Sequence, residues 1–98
     1  MDTKDAQEMM KRIYLERDKE RGLDRTILRT FQELGELSEA IQKELPDKDI
    51  ANELADVFAW LCSIANIIDI DIGEALANKY RNTCSRCEES PCECENEP

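Results

Sequence analysis

The sequence predicts an all-α protein built around an antiparallel helical hairpin within a four-helix arrangement. Three observations favour this class. The 98-residue chain contains only three Gly and three Pro, its apolar residues recur mainly at helical spacing, and Pro46 separates two long amphipathic stretches. A chain of this length has room for one domain with a modest core, so burial against a second copy would stabilise it.

The first two predicted helices lie before Pro46. One runs over about residues 4–20, carries a narrow apolar stripe and is followed by Gly22, a typical C-cap residue. The other begins at an N-cap at Asp24 and runs to about residue 45, where Pro46 ends it. Its apolar residues fall mostly on one face: Ile27, Leu28, Phe31, Leu34, Leu37 and Ile41.

The third predicted helix is the most apolar part of the chain. It starts at Asp47 or Asp49 and runs over about residues 48–68, and a short fourth helix begins at Asp71 or Gly73 and reaches about residue 80. The third helix carries a girdle of large apolar residues: Val57, Trp60, Leu61, Ile64 and Ile67. The narrow stripes of the other helices cannot cover this girdle, so we expect a homo-oligomer, a dimer or a tetramer.

Beyond Asn82 the composition changes to a short, acidic, Cys-rich tail. The chain therefore divides into a helical domain at 1–82 and a tail at 83–98. Four cysteines in the tail have the spacing C-x2-C-x4-C-x-C: Cys84, Cys87, Cys92 and Cys94. If the protein is cytoplasmic, clustered thiols favour metal binding over disulfides, and a tetrahedral structural Zn²⁺ site is the preferred interpretation. Disulfides and an unstructured thiol-bearing tail are the alternatives.

Composition and charge exclude several classes of function. The chain has no histidine, which excludes the serine triad, histidine-containing zinc hydrolase sites and the Glu-x-x-His di-iron bundle. The net charge is −10, and residues 31–98 carry sixteen acids against five bases, so we expect no nucleic-acid partner. The N-terminal segment has no apolar signal region, and the longest apolar stretch, 57–68, is shorter than the ~20 residues of a membrane span. We therefore expect a cytoplasmic protein with no membrane partner.

Two pairs of acids lie on the predicted hairpin. Glu33 and Glu36 share one face of the second helix, and Glu53 and Asp56 repeat the spacing on the third. Helices joined by a short connection pack antiparallel, so the two pairs face each other. Four carboxylates raise one another's pKa unless a cation lies among them, and Mg²⁺ and Mn²⁺ prefer oxygen ligands. Spacing alone leaves two interpretations, a metal site and a solvated acidic face.

The pattern Glu-x-x-Glu followed by Glu-x-x-Asp, in ELGELSEA at 33–40 and ELADVF at 53–58, resembles the motif of the MazG-like all-α nucleoside triphosphate pyrophosphohydrolases. The likeness continues through ELADVFAWLCSIANIIDIDIGEALANKYRN and covers about Thr26 to Asn82. It implies Mg²⁺-dependent hydrolysis of a (deoxy)nucleoside triphosphate to the monophosphate and pyrophosphate, by an enzyme assembled from two or more chains. House-cleaning of the nucleotide pool is the leading hypothesis. The alternatives are a phosphoribosyl-ATP pyrophosphohydrolase and a catalytically silent helical oligomerisation module.

The resemblance also implies roles for individual residues. The metal ligands would be the four acids: Glu33, Glu36, Glu53 and Asp56. The proton of the attacking water would go to Glu33, with Glu36 as second choice. Gln32 stands where the family often has a further acid. Lys79 would contact phosphate, with Asn82 nearby. The alternatives for these two residues are a cation favoured by the helix dipole and a terminal cap.

Overall fold

The computed structural model describes residues 1–97 and contains four α-helices, with no strand in that range. The all-α class is therefore confirmed. The helices are α1 (Thr3–Arg21), α2 (Leu23–Gln42), α3 (Asp47–Ile67) and α4 (Ile72–Lys79). α3 is the central element, because it packs against both α1 and α2, while α4 packs against α1.

A single residue joins α1 to α2. Gly22 ends α1, as predicted, and donates its backbone N–H to Asp18 O at 2.9 Å. Its φ of +88° with ψ of 160° is a conformation that side chains other than glycine rarely adopt. Gly22 is also the N-cap of α2, so the prediction of Asp24 as N-cap is wrong. Asp24 lies instead in the first turn, where the helix dipole favours a negative charge.

The turn between α2 and α3 is longer than predicted. α2 ends at Gln42, and Glu44 adopts a φ of 53° in the turn that follows. Pro46 is the N-cap of α3, and the helix begins at Asp47, one of the two predicted starts. Asp47 and Asp49 both lie in its first turn. Pro46 suits this position because its fixed φ is compatible with a helix start and it has no N–H to satisfy.

The start of α1 is tied to the connection between α3 and α4. The Gln7 side chain donates to Ile70 O at 2.7 Å and accepts from the Ile72 N–H at 3.0 Å. Asn66 on α3 donates from Nδ2 to Gln7 O at 3.1 Å. Asp71 caps α4, as predicted. These bonds satisfy the polar groups of the turn and hold α4 beside α1.

The interior of the single chain contains mostly small side chains. Its buried apolar residues are Ala6, Ala40, Val57, Cys62 and Ala65. α2 contributes buried Thr26 and Thr30, whose hydroxyls donate to the backbone oxygens of Gly22 and Thr26 at 2.8 Å each. The apolar stripe of α2 lies mainly on the outside, and Phe31 on it is 68% exposed. As a single chain, the protein therefore leaves much of its apolar surface exposed to water.

α3 also leaves part of its apolar girdle exposed. Val57 is buried, whereas Trp60, Ile64 and Ile67 are half-buried and Leu61 is exposed. Leu61 lines a shallow apolar groove on α3 together with neighbours on the same helix face: Ala51, Leu54, Ala55, Val57 and Phe58. By length and composition α3 could cross a membrane, a test that the core helix of a soluble protein passes as well. The expectation that the chain has no membrane partner stays a prediction.

The tail beyond α4 contains no helix or strand through residue 97, as the composition predicted. It folds back on itself through two backbone bonds of 2.9 Å, from Cys84 N to Glu89 O and from Glu88 N to Cys84 O. A cavity between the tail, α4 and the start of α1 is lined by residues that include Thr3, Leu76 and Cys92. The tail therefore lies against the helical domain.

Candidate functional site

Three carboxylates converge where α2 and α3 face each other. Glu33 from α2 and Glu53 and Asp56 from α3 each offer an oxygen, and these oxygens all lie within 4.8 Å of one another. Glu33 is buried, Glu53 half-buried and Asp56 exposed, so the group extends from the interior to the surface. Glu36 is exposed and is not part of this group of three, but it interacts with both Glu33 and Glu53. The structure thus brings three of the four predicted acids together, with the fourth beside them.

Burial and mutual repulsion raise the pKa of two of these acids. For Glu33 the main cause is burial, followed by the hydrogen bond and charge of Glu36 and the charge of Asp56, with Arg29 opposing the rise. The pKa of Glu53 is raised by burial and then by nearby charges, Glu36 first among them. The negative charge of the acidic group is therefore not balanced by the positively charged side chains around it.

One carboxylate oxygen of the acidic group has no hydrogen-bond partner. Oε2 of Glu53 is buried and has no hydrogen-bond partner among residues 1–97. Such an oxygen is costly unless a donor or a cation reaches it. An all-oxygen, negatively charged donor set fits a hard divalent cation such as Mg²⁺ or Mn²⁺.

Two arginines lie over one aromatic ring, and one of them also pairs with an acid of the converging group. Arg29 approaches Glu33 Oε1 at 3.4 Å and donates to Gln32 Oε1 at 2.8 Å. The guanidinium carbons of Arg21 and Arg29 lie 4.7 and 5.3 Å from the centre of the Trp60 ring. The spacing of four residues between Arg29 and Glu33 indicates this pair in the sequence. The contact of Arg21 with Trp60 joins α1 to α3 and has no local signal.

A small cavity opens between α1 and α3 next to the acidic group. Its volume is about 140 Å³, and it is lined by Tyr14, Asp18, Arg21, Asp56, Ala59, Trp60 and Ser63. Asp18 is buried, and sequence reasoning assigned it no role. A spacing of four residues places Asp18 on the same side of α1 as buried Ala6 and half-buried Met10, which is the signal that could have found it.

Lys79 and Asn82 do not join the acids within one chain. Lys79 is the last residue of α4, which packs against α1, whereas the acids lie on α2 and α3. Its Nζ lies 5.6 Å from the centre of the Tyr80 ring. Asn82 is exposed, with a φ of 63°. No ion pair or side-chain hydrogen bond within the described part of the chain links either residue to the acidic group.

The four tail cysteines form a second cluster, with all sulfurs within 4.8 Å of one another. Sγ of Cys84 lies 3.8 Å from Sγ of Cys94, and Sγ of Cys87 lies 4.0 Å from that of Cys92. Backbone N–H groups donate to three of the sulfurs at 3.3–3.4 Å. Backbone hydrogen bonds also lower the pKa of Cys84 to about 6. All five cysteines of the chain, including buried Cys62, are free thiols.

Fold and site define a class: an all-α protein whose central hairpin carries carboxylates from two facing helices, as in helical bundles that bind divalent cations. Comparison with family models then matches residues 21–89 to the MazG nucleotide pyrophosphohydrolase domain. The match spans well over half of the chain, so the protein belongs to this family, and the resemblance seen in the motif is confirmed. No curated protein matches the chain. Family membership implies pyrophosphohydrolase activity on a nucleotide, and the family is typically metal-dependent.

Proposed function

We propose that the protein hydrolyses a (deoxy)nucleoside triphosphate between the α and β phosphates, releasing the monophosphate and pyrophosphate, and that it serves in nucleotide-pool house-cleaning. The cation would be Mg²⁺ or Mn²⁺. The observation that carries the proposal is the convergence of Glu33, Glu53 and Asp56, together with a buried oxygen of Glu53 that has no partner in the range 1–97. A cation would neutralise this group, and a triphosphate is the ligand that such a cation serves.

The three converging acids would hold the cation, with Glu36 completing the set. When bound, the cation supplies positive charge that neutralises the triphosphate and stabilises the leaving pyrophosphate. Arg29 lies beside Glu33 and carries a second positive charge that would pair with a phosphate oxygen.

Glu33 is the preferred acceptor for the proton of the attacking water. It is the buried member of the group, and burial raises its pKa, so its carboxylate is a stronger base than an exposed one. The oxygen of Glu33 that the cation leaves free would accept the proton. Glu36 is the second choice, because it lies next to Glu33 on the following turn and is open to solvent. A single substitution of each, assayed over a range of pH, would separate the two.

A second copy of the chain would complete the molecule. α2 and α3 leave large apolar residues exposed, including Phe31, Leu54 and Leu61, and a homodimer or homotetramer would cover them. Lys79 and Asn82 lie apart from the acids of their own chain, so we assign their contact with phosphate to a site on the neighbouring subunit. The cytoplasm, which holds the nucleotide pool, is the proposed location.

The cofactor proposal includes a structural Zn²⁺ ion in the tail. Four thiolates around zinc at about 2.3 Å place neighbouring sulfurs about 3.8 Å apart, close to the 3.8 and 4.0 Å between the tail sulfurs. The ion would close the loop at 84–94 and stiffen the tail beside α4. This site is separate from the carboxylates and takes no part in the reaction.

Metal analysis of the full chain, purified without chelator, tests the zinc proposal. We expect one zinc ion per chain, and a tetrahedral thiolate absorption spectrum after exchange for Co²⁺. Cys87→Ser should abolish both signals, and Cys62→Ser, the matched control in the buried core, should change neither. Zinc-free protein in which only Cys62 titrates as a free thiol would show disulfides in place of a metal.

Pyrophosphate release from a panel of triphosphates with Mg²⁺ tests the main proposal. Activity on common or non-standard triphosphates is the expected result, activity confined to phosphoribosyl-ATP would favour the biosynthetic alternative, and no activity would favour the silent module. Asp56→Asn should abolish turnover. The matched control, Glu39→Gln, removes an exposed acid of α2 that pairs with Lys43 on the same helix and should leave activity unchanged. Orthophosphate as the primary product would overturn the proposal.

A further inference from the structure

We infer that the cavity between α1 and α3 holds the nucleobase, and that Asp18 selects bases with an exocyclic amino group over their keto counterparts. The inference rests on the proposed triphosphate hydrolysis and names the substrate class for that same site. It would make cytosine and adenine nucleotides better substrates than uracil and hypoxanthine nucleotides.

The position and size of the cavity suit one ring system. Asp56 belongs both to the acidic group and to the cavity wall, so a nucleotide with its phosphates at the acids has its other end at the cavity. The volume of about 140 Å³ is smaller than the roughly 300–1,000 Å³ typical of pockets that enclose a whole ligand. A single planar base is therefore a better match than an entire nucleotide.

Asp18, which lines this cavity, carries an unused hydrogen-bond acceptor. Its side chain is only 2% exposed, and Oδ1 accepts a hydrogen bond from Arg21 Nη1 at 2.8 Å. Oδ2 is buried and has no hydrogen-bond partner in the range 1–97. An ionised carboxylate can only accept, so the group that satisfies Oδ2 must be a donor.

That requirement distinguishes amino from keto bases. An exocyclic amino group directs an N–H towards Oδ2, whereas a keto oxygen at the same place would oppose one acceptor with another. A site built to bond a donor rejects analogues that lack it, because the buried acceptor is then left unpaired.

The walls of the cavity suit a flat ring. Tyr14 and Trp60 contribute aromatic side chains, and the guanidinium of Arg21 lies over the Trp60 ring, 4.7 Å from its centre. Aromatic rings and guanidinium planes are the usual stacking partners of bases in proteins. Because Arg21 is held by both Asp18 and Trp60, it is oriented before any ligand arrives.

Two matched substrate pairs test the inference: CTP against UTP and ATP against ITP. We expect the amino member of each pair to have a kcat/KM about tenfold higher or more, the ratio that corresponds to one hydrogen bond of about 1.4 kcal/mol. In Asp18→Asn, whose amide both donates and accepts, the ratio should fall to about one or reverse. Asp24→Asn, which changes an exposed acid of α2, should keep the wild-type ratio.

A binding measurement separates this inference from the hydrolysis proposal. Trp60 is the only tryptophan of the chain and lines the cavity, so its fluorescence reports occupancy without turnover. CMP should change the signal at about tenfold lower concentration than UMP, and Asp18→Asn should remove the difference.

If the wild-type protein hydrolyses or binds both members of each pair equally well, Asp18 serves only as a partner for Arg21 and the inference is wrong. This comparison needs no variant, so it stands even if Asp18→Asn fails to fold. Selective binding without pyrophosphate release would instead support the cavity assignment and refute the hydrolysis proposal alone.

Discussion

Truncation of Leu61 should weaken self-association and leave the single-chain fold intact. Leu61 lies on α3, between the carboxylate group and the buried end of the helix, and is 44% exposed in the single chain. Complete burial of a leucine side chain stabilises a protein by about 1.5–3 kcal/mol. Burying the exposed part in an interface is therefore worth about 1 kcal/mol for each copy.

Symmetry doubles this effect. In a two-fold dimer the same residue of both chains lies at the interface, so Leu61→Ala removes about 2 kcal/mol from association. Since 1.4 kcal/mol corresponds to a tenfold change, the dissociation constant should rise about 30-fold. Leu61→Glu should prevent dimerisation altogether, because it would bury two like charges against each other.

Sedimentation equilibrium from nanomolar to micromolar protein measures this change directly. Ile13→Ala is the matched control: Ile13 is 57% exposed on α1, outside the α3 groove, and its removal should leave the dissociation constant unchanged. Unfolding by urea should also depend on protein concentration in the wild type, because the proposed dimer would stabilise the folded chain by mass action. A cooperatively folded wild-type monomer at micromolar concentration, or equal effects of Leu61→Ala and Ile13→Ala, would refute the reasoning.

Three further predictions concern the site and the backbone. Glu53→Gln or Asp56→Asn should abolish turnover and leave helicity intact. Without metal, the free energy of unfolding should stay equal or rise, because one repelling charge is removed. Loss of helicity by circular dichroism would instead give these residues a structural role. Burial and the neighbouring carboxylate charges raise the folded-state pKa values of Glu33 and Glu53 above the ordinary value of about 4.5. Their stabilising contribution is therefore complete below about pH 4.5 and is lost as pH rises through the raised values. Without metal, urea unfolding should therefore show Glu53→Gln to be more stable than wild type at pH 7, with the difference vanishing near pH 4, and a difference independent of pH would contradict this. Gly22→Ala should lower the free energy of unfolding by about 1–3 kcal/mol because φ is +88° there, whereas Gly35→Ala, inside α2 with open space around it, should raise it by about 0.5–1 kcal/mol.

The local features of this protein were predictable from the sequence. Helical spacing, the break at Pro46 and the caps at Gly22 and Asp71 depend on residues only a few positions apart, so the four helices could be placed. The spacing of the acids on two consecutive helices likewise placed Glu33, Glu53 and Asp56 close together, because helices joined by a short turn pack against each other. The same motif indicated the family.

The tertiary structure decided which side of each helix faces inward and which distant residues meet. A helical pattern of apolar residues shows which residues share one face of a helix, but it does not show what that face packs against. In α2 the small residues Thr26 and Thr30 face the interior, while the large apolar residues lie outside. The packing of α4 against α1, rather than against the acids, separates Lys79 from the carboxylates of its own chain. The burial of Asp18 beside Trp60 depends on the crossing of α1 and α3, which are far apart in sequence. Such contacts depend on how whole helices pack, and the order of residues along one helix does not encode them.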